Sequence, residues 1–131
     1  MRGRMRTAAI AAATLGLAMA GLGAAPAFAA GSHVPIPPGY VYDPSLPDRT
    51  LHDYCSYSPD SYGKADFRGP CAGHDMCIEA GAVARSSCDA TLYADLRREC
   101  ALAYGPGFGR TTCYGVAEVY YAAVRAKTAI S

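Results

Sequence analysis

The sequence predicts a small all-α domain stapled by disulfides. Three observations carry this reading. Three stretches place apolar residues at helical spacing, six cysteines fall between residues 55 and 113, and no segment reads convincingly as a strand.

The first 29 residues read as a secretory leader outside the fold. Arg2, Arg4 and Arg6 form a positive start, residues 8–22 are small and apolar, and Ala27-Phe28-Ala29 fits a small-x-small cleavage site. Thr14 and several glycines interrupt the apolar run, which is short for a membrane span. An uncleaved anchor is the alternative. Cleavage after Ala29 leaves 102 of the 131 residues, with 9 basic against 11 acidic side chains. That near-neutral balance, with no polybasic stretch, excludes nucleic-acid binding by bulk electrostatics. A domain this small gains from covalent staples, and export permits them.

The mature part opens with an arm, residues 30–52, rich in proline and glycine. Pro35, Pro37, Pro38, Pro44 and Pro47 each remove an amide donor and disfavour helix before them. The arm is expected to be extended and docked through Tyr40 and Tyr42. Residues 53–69 carry Ser-Pro-Asp and Tyr-Gly turn signals and read as an irregular loop. A first helix is expected over residues 70–83, opened by Pro70, with Cys71, His74, Ile78 and Ala82 on one face. Ser87 is the expected N-cap of a second helix, which runs to about residue 104 and stops at Gly105-Pro106-Gly107. Asp89, Leu92, Leu96, Cys100 and Ala103 form its inner stripe, whereas Asp95, Arg97, Arg98 and Glu99 are expected to face outward. The third helix is expected over residues 112–129, with Val116, Val119, Tyr120, Ala123 and Val124 inward. Arg125 and Lys127 suit its negative C-terminal end.

Six cysteines allow 15 pairings, and sequence alone does not choose among them. Spacing suggests sequential neighbours: Cys55–Cys71, Cys77–Cys88 and Cys100–Cys113. A plain stapled mini-domain without chemistry is compatible with the same pattern.

The chemistry-bearing segment is Cys71-Ala72-Gly73-His74-Asp75-Met76-Cys77, followed by Cys88-Asp89. A helix turns by about 100° per residue, so His74 and Asp75 point to different sides and each needs its own partner. A Cys77–Cys88 bridge would bring two Cα atoms within about 5.5 Å and carry Asp89 to His74. A Cys55–Cys71 bridge would bring Asp53 towards Asp75. Asp89 reads either as a helix N-terminal acid or as the group that fixes the tautomer of His74 and supports its cation. Asp53 and Asp75 are hard oxygen donors that suit Ca²⁺ better than a soft-ligand metal. His52 beside Asp53 leaves a His/Asp zinc site open.

Cys-x-x-His-Asp-x-Cys followed by Cys-Asp resembles the secreted phospholipases A2. Asp53-Tyr54-Cys55, with a cysteine three residues before the His-Asp pair, is most similar to their small bacterial and fungal members. The resemblance covers about residues 50–125. It implies a disulfide-stapled phospholipase A2-like fold, with two antiparallel catalytic helices plus a C-terminal helix in a catalytic domain spanning residues 53–131. It implies a secreted, extracellular enzyme that hydrolyses the sn-2 ester of glycerophospholipids with Ca²⁺. His74 is then the general base that activates water, and Asp89 orients it. Asp53 and Asp75 bind Ca²⁺ through carboxylates, and Tyr54 through its backbone carbonyl. The implied partner is a phospholipid membrane or micelle surface, met peripherally by a monomer.

The sequence departs from the family pattern in lacking a Gly-rich calcium loop and in placing Ile78 where bacterial members carry an aromatic. It also has a proline-rich arm where they have helices. His33, Tyr40, Tyr42, Phe67 and Phe108 are the side chains available for lipid contact. Two competing readings are a non-catalytic, calcium-dependent lipid-binding or toxin-like module, and a structural cysteine-rich domain.

Overall fold

The computed structural model describes residues 31–131; the expected leader lies outside the described residues. The fold is all-α with one minor strand pair. A short 3-10 turn, Arg49–Leu51, precedes a two-stranded antiparallel ribbon, β1 (Ser61–Tyr62) and β2 (Ala65–Asp66). Three helices follow: α1 (Arg68–Ala80), α2 (Arg85–Ala103) and α3 (Phe108–Ala129). The ribbon replaces part of the loop expected over residues 53–69. Its turn is made possible by Gly63, whose φ of 54° lies in the left-handed region.

The helix boundaries shift from those expected for local reasons. α1 starts two residues earlier and ends at Gly81, a left-handed C-cap whose amide bonds back to Cys77. Ser87 is not the N-cap of α2. Ala84 holds that position, and the helix has already turned by Ser87, whose amide bonds to the Ala84 carbonyl. α3 begins at Phe108, directly after Gly107. Arg110 in its first turn donates from Nε to the Tyr104 carbonyl at 2.8 Å and from Nη2 to Ala101 at 3.0 Å. It thereby serves the orphan carbonyls at the end of α2.

The bridges are Cys55–Cys71, Cys77–Cys88 and Cys100–Cys113, the pairing suggested by spacing. They and their neighbours fix the direction of the helices. From Cys77–Cys88, the next contact is His74 with Asp89, three residues back on α1 and one residue forward on α2. Those two helices are therefore antiparallel. Cys100–Cys113, the Tyr93–Tyr121 ring stack at 4.9 Å and the Asp89–Thr128 hydrogen bond run in opposite directions along α2 and α3, so that pair is antiparallel too.

The core is small. Phe67, Leu92, Leu96 and Ala117 are buried among four half-cystines, with Tyr120 edge-on to Phe67 at 5.3 Å. Each bridge closes a loop of 11 to 16 residues. A closed loop of that size removes about 3 kcal/mol of unfolded-state entropy. The buried stripe of α3 runs through Cys113 and Ala117 to the half-buried Tyr120, Val124 and Thr128. Val119 and Ala123 lie outside it and are exposed, Val119 at 68%.

The outward face expected on α2 is partly covered. Arg97 is exposed, but Asp95 is half-buried and Glu99 is 1% exposed. For Glu99 the reason is the arm. Its extended backbone crosses α2, where Glu99 accepts from the Val34 amide at 2.6 Å and meets His33 Nδ1 at 2.7 Å. Arg98 donates to the Ser32 carbonyl. The crossing is close: a β-carbon on Gly69 would sit 1.9 Å from the Val34 carbonyl oxygen, so only glycine fits there. Phe67, considered for lipid contact, is fully buried beneath the helices, and His33 is engaged by Glu99.

Replacing Glu99 with Ala strands a buried amide and releases the arm. The expected loss is about 2–4 kcal/mol in urea unfolding of the disulfide-intact chain. Glu99→Gln, which keeps an acceptor, should lose less.

Candidate active site

His74 sits mid-way along α1, two turns from the N-terminus of the helix. Its Nε2 lies 2.7 Å from Oδ1 of Asp89, which projects from the first turns of α2. Asp89 is completely buried. Its second oxygen, Oδ2, accepts from the Thr128 hydroxyl of α3 at 2.6 Å. A buried carboxylate needs such partners, because an unpaired charge in the interior is prohibitively costly. The contact with Asp89 fixes the imidazole orientation and leaves Nδ1 free. Among the described residues, no hydrogen bond engages Nδ1.

That free edge borders a cleft of about 450 Å³ between the loop at residues 50–58, α1 and α3. Ile78, Leu92 and Val124 provide apolar lining, while Arg85 and Lys127 add cationic groups. His74 and Asp75 both line it.

Asp75, on the neighbouring side of α1, is 4% exposed. Its Oδ2 accepts from the Tyr40 hydroxyl at 2.7 Å, and the same hydroxyl accepts from the Tyr54 amide at 2.9 Å. The arm therefore enters the site directly. Tyr40 and Tyr42 stack on Tyr54 with centroids 5.4 and 4.6 Å away. Tyr54 itself is held at a φ of 57°, a left-handed conformation that costs an ordinary residue roughly 1 kcal/mol or more.

Burial pushes the Asp75 carboxyl up to about 7. The Tyr40 hydrogen bond opposes this, and the nearby charge of Asp53 adds to it. Asp53 is tied by the Ser56 hydroxyl, which donates to its Oδ1 at 2.6 Å. The Tyr40 hydroxyl is itself pushed well above the usual phenol range, first by burial and then by its bond to Asp75.

Asp75 is buried and resists ionisation, the charge of Asp53 adds to that resistance, and positive charge arriving beside it would relieve it. Among the described residues, Oδ1 of Asp75 receives no hydrogen bond. With a backbone carbonyl and water, two carboxylates make an all-oxygen donor set, the chemistry of a hard divalent cation. Thr128 and the Tyr40 hydroxyl are site residues that the motif reading missed.

A buried histidine–aspartate couple with one free nitrogen on an apolar cleft is an arrangement that can activate water. A family model described as prokaryotic phospholipase A2 matches residues 49–128, and the chain belongs to that family. No curated protein and no solved structure matches it.

The raised acidity constant of Asp75 carries a stability signature. Its folded value of about 7 lies above the ordinary 3.8, so ionisation opposes folding. Stability from this group is fully present below about pH 4 and falls as pH rises towards 7. In metal-free buffer, Asp75→Asn should therefore stabilise the chain by about 2–4 kcal/mol at pH 8 and by almost nothing at pH 4. Paired denaturant titrations at the two pH values check this.

Proposed function

We propose that the protein is a secreted, calcium-dependent phospholipase A2 that hydrolyses the sn-2 ester of glycerophospholipids to a fatty acid and a lysophospholipid. The observation that carries the reading is the 2.7 Å His74–Asp89 contact at the cleft. Family membership supports phospholipid as substrate, and three disulfides suit an oxidising, extracellular setting.

In this reading Nδ1 of His74 takes a proton from a water molecule positioned at the sn-2 carbonyl. Nε2–H stays on Asp89, which stabilises the imidazolium that forms. Thr128 holds Asp89 and so keeps the ring aimed at the cleft. The proton then returns from Nδ1 to the departing lysophospholipid oxygen. Asp53 and Asp75 would hold Ca²⁺ through carboxylates, with the Tyr54 carbonyl as a third ligand. When bound, that cation supplies the positive charge that polarises the ester carbonyl. The apolar lining accommodates an acyl chain, and the cationic rim faces lipid phosphate. The lipid surface would be met peripherally; no described helix is long and apolar enough to cross a membrane.

Fatty-acid release from mixed phospholipid micelles tests this, with acyl position tracked and calcium or chelator present. Calcium-dependent sn-2 release is expected. His74→Gln retains an amide donor for Asp89 and should keep the fold while lowering turnover by about 10²–10⁴-fold or more. Calcium-dependent vesicle binding without turnover in the unaltered, disulfide-intact chain would replace the enzyme with a lipid-binding module.

A further inference from the structure

His52 ends the 3-10 turn just before the loop that carries Asp53. Its ring is nearly buried, with the residue 9% exposed. Nδ1 lies 2.8 Å from the Val41 carbonyl. A carbonyl only accepts, so Nδ1 must carry the hydrogen and donate it. This sets the tautomer and leaves Nε2 as the nitrogen with a lone pair. Nε2 points between two carboxylates, 3.7 Å from Oδ2 of Asp48 and 3.9 Å from Oε1 of Glu79. Both distances exceed a hydrogen bond.

The three donor atoms lie within 4.8 Å of one another. Zinc bonds of about 2.0–2.1 Å at tetrahedral angles place donor atoms roughly 3.3–3.4 Å apart. A small inward swing closes the difference. The two carboxylates are free to make it, because their side chains are 55% and 51% exposed. The imidazole is already braced from behind by a backbone carbonyl, as metal-binding histidines usually are.

We infer that Asp48, His52 and Glu79 form a second metal site, one that takes zinc or a similar borderline transition ion. The site is distinct from the Asp53–Asp75 pair and independent of the phospholipase reading. One imidazole and two carboxylates, with water in the fourth position, match zinc. They supply too few oxygens for calcium. A bound ion would clip the 3-10 turn to the last turn of α1, fixing the base of the loop that carries Asp53.

Calorimetric titration of the disulfide-intact chain with zinc chloride alone, near pH 7.5, tests the site. One zinc ion per chain is expected, at about micromolar affinity or tighter. Asp48→Asn combined with Glu79→Gln changes only exposed groups and should weaken binding by about 100-fold or more while circular dichroism stays unchanged. Asp53→Asn should leave zinc binding intact. Absence of binding overturns the inference, as does binding that survives the double substitution. Loss of zinc in Asp53→Asn would place the ion at the acidic pair and overturn it equally.

Discussion

The arrangement of the three helices depends on one demand: a fully buried carboxylate, Asp89, must be satisfied from both sides. α1 brings an imidazole to one oxygen and α3 brings a hydroxyl to the other. Sliding α3 by a residue would turn Thr128 away and leave a buried charge with half its partners. The same group that fixes helix register is the one proposed to orient the base. Packing and chemistry therefore constrain each other at a single atom pair. The apolar core is too slight to set that register alone, and the bridges at either end of α2 hold the helices within reach of it.

The arm is a second structural theme. It has no regular secondary structure beyond one short turn, yet three of its side-chain and backbone groups end on buried acids. Val34 satisfies Glu99 at one end, and Tyr40 satisfies Asp75 at the other. Residues 31–48 lie outside the matched family segment, 49–128, and nevertheless supply a hydrogen bond to the candidate site. The proline-rich segment thus acts as a polar strap. Its prolines lower the conformational entropy that such a strap must lose on docking.

Most of the helical fold was legible in the sequence. Glycine and proline punctuated the helices, and the inner stripe of α2 followed the helical period. What failed did so where a distant chain segment intervenes or where a local helix boundary or face was misplaced. Glu99 looks like a solvent-facing acid because nothing local announces that His33 and Val34 will cover it. Ser87 looked like a cap because the chain was expected to leave α1 three residues later than Gly81 permits. Val119 was assigned inward by hydropathy, although the Cys113–Ala117 spacing puts the buried stripe elsewhere. His74, Asp75 and Asp89 were legible as a motif. Thr128 was not: counting along an antiparallel α2–α3 pair from the Cys100–Cys113 bridge sets residue 124 opposite residue 89, one helical turn short of it.

The connectivity of the bridges bears on how the chain reaches its native state in an oxidising compartment. The six cysteines pair consecutively along the sequence, first with second, third with fourth and fifth with sixth, through loops of 16, 11 and 13 residues. Short loops meet more often than long ones, because closure entropy grows with length. The shortest closure, Cys71 with Cys77, is not native, because both lie on α1, where six residues span about 9 Å, too far for a bridge. Each staple can close once its own segment is available, without waiting for the rest of the chain. Helix formation in α1, rather than loop length alone, thus decides which sulfurs can meet.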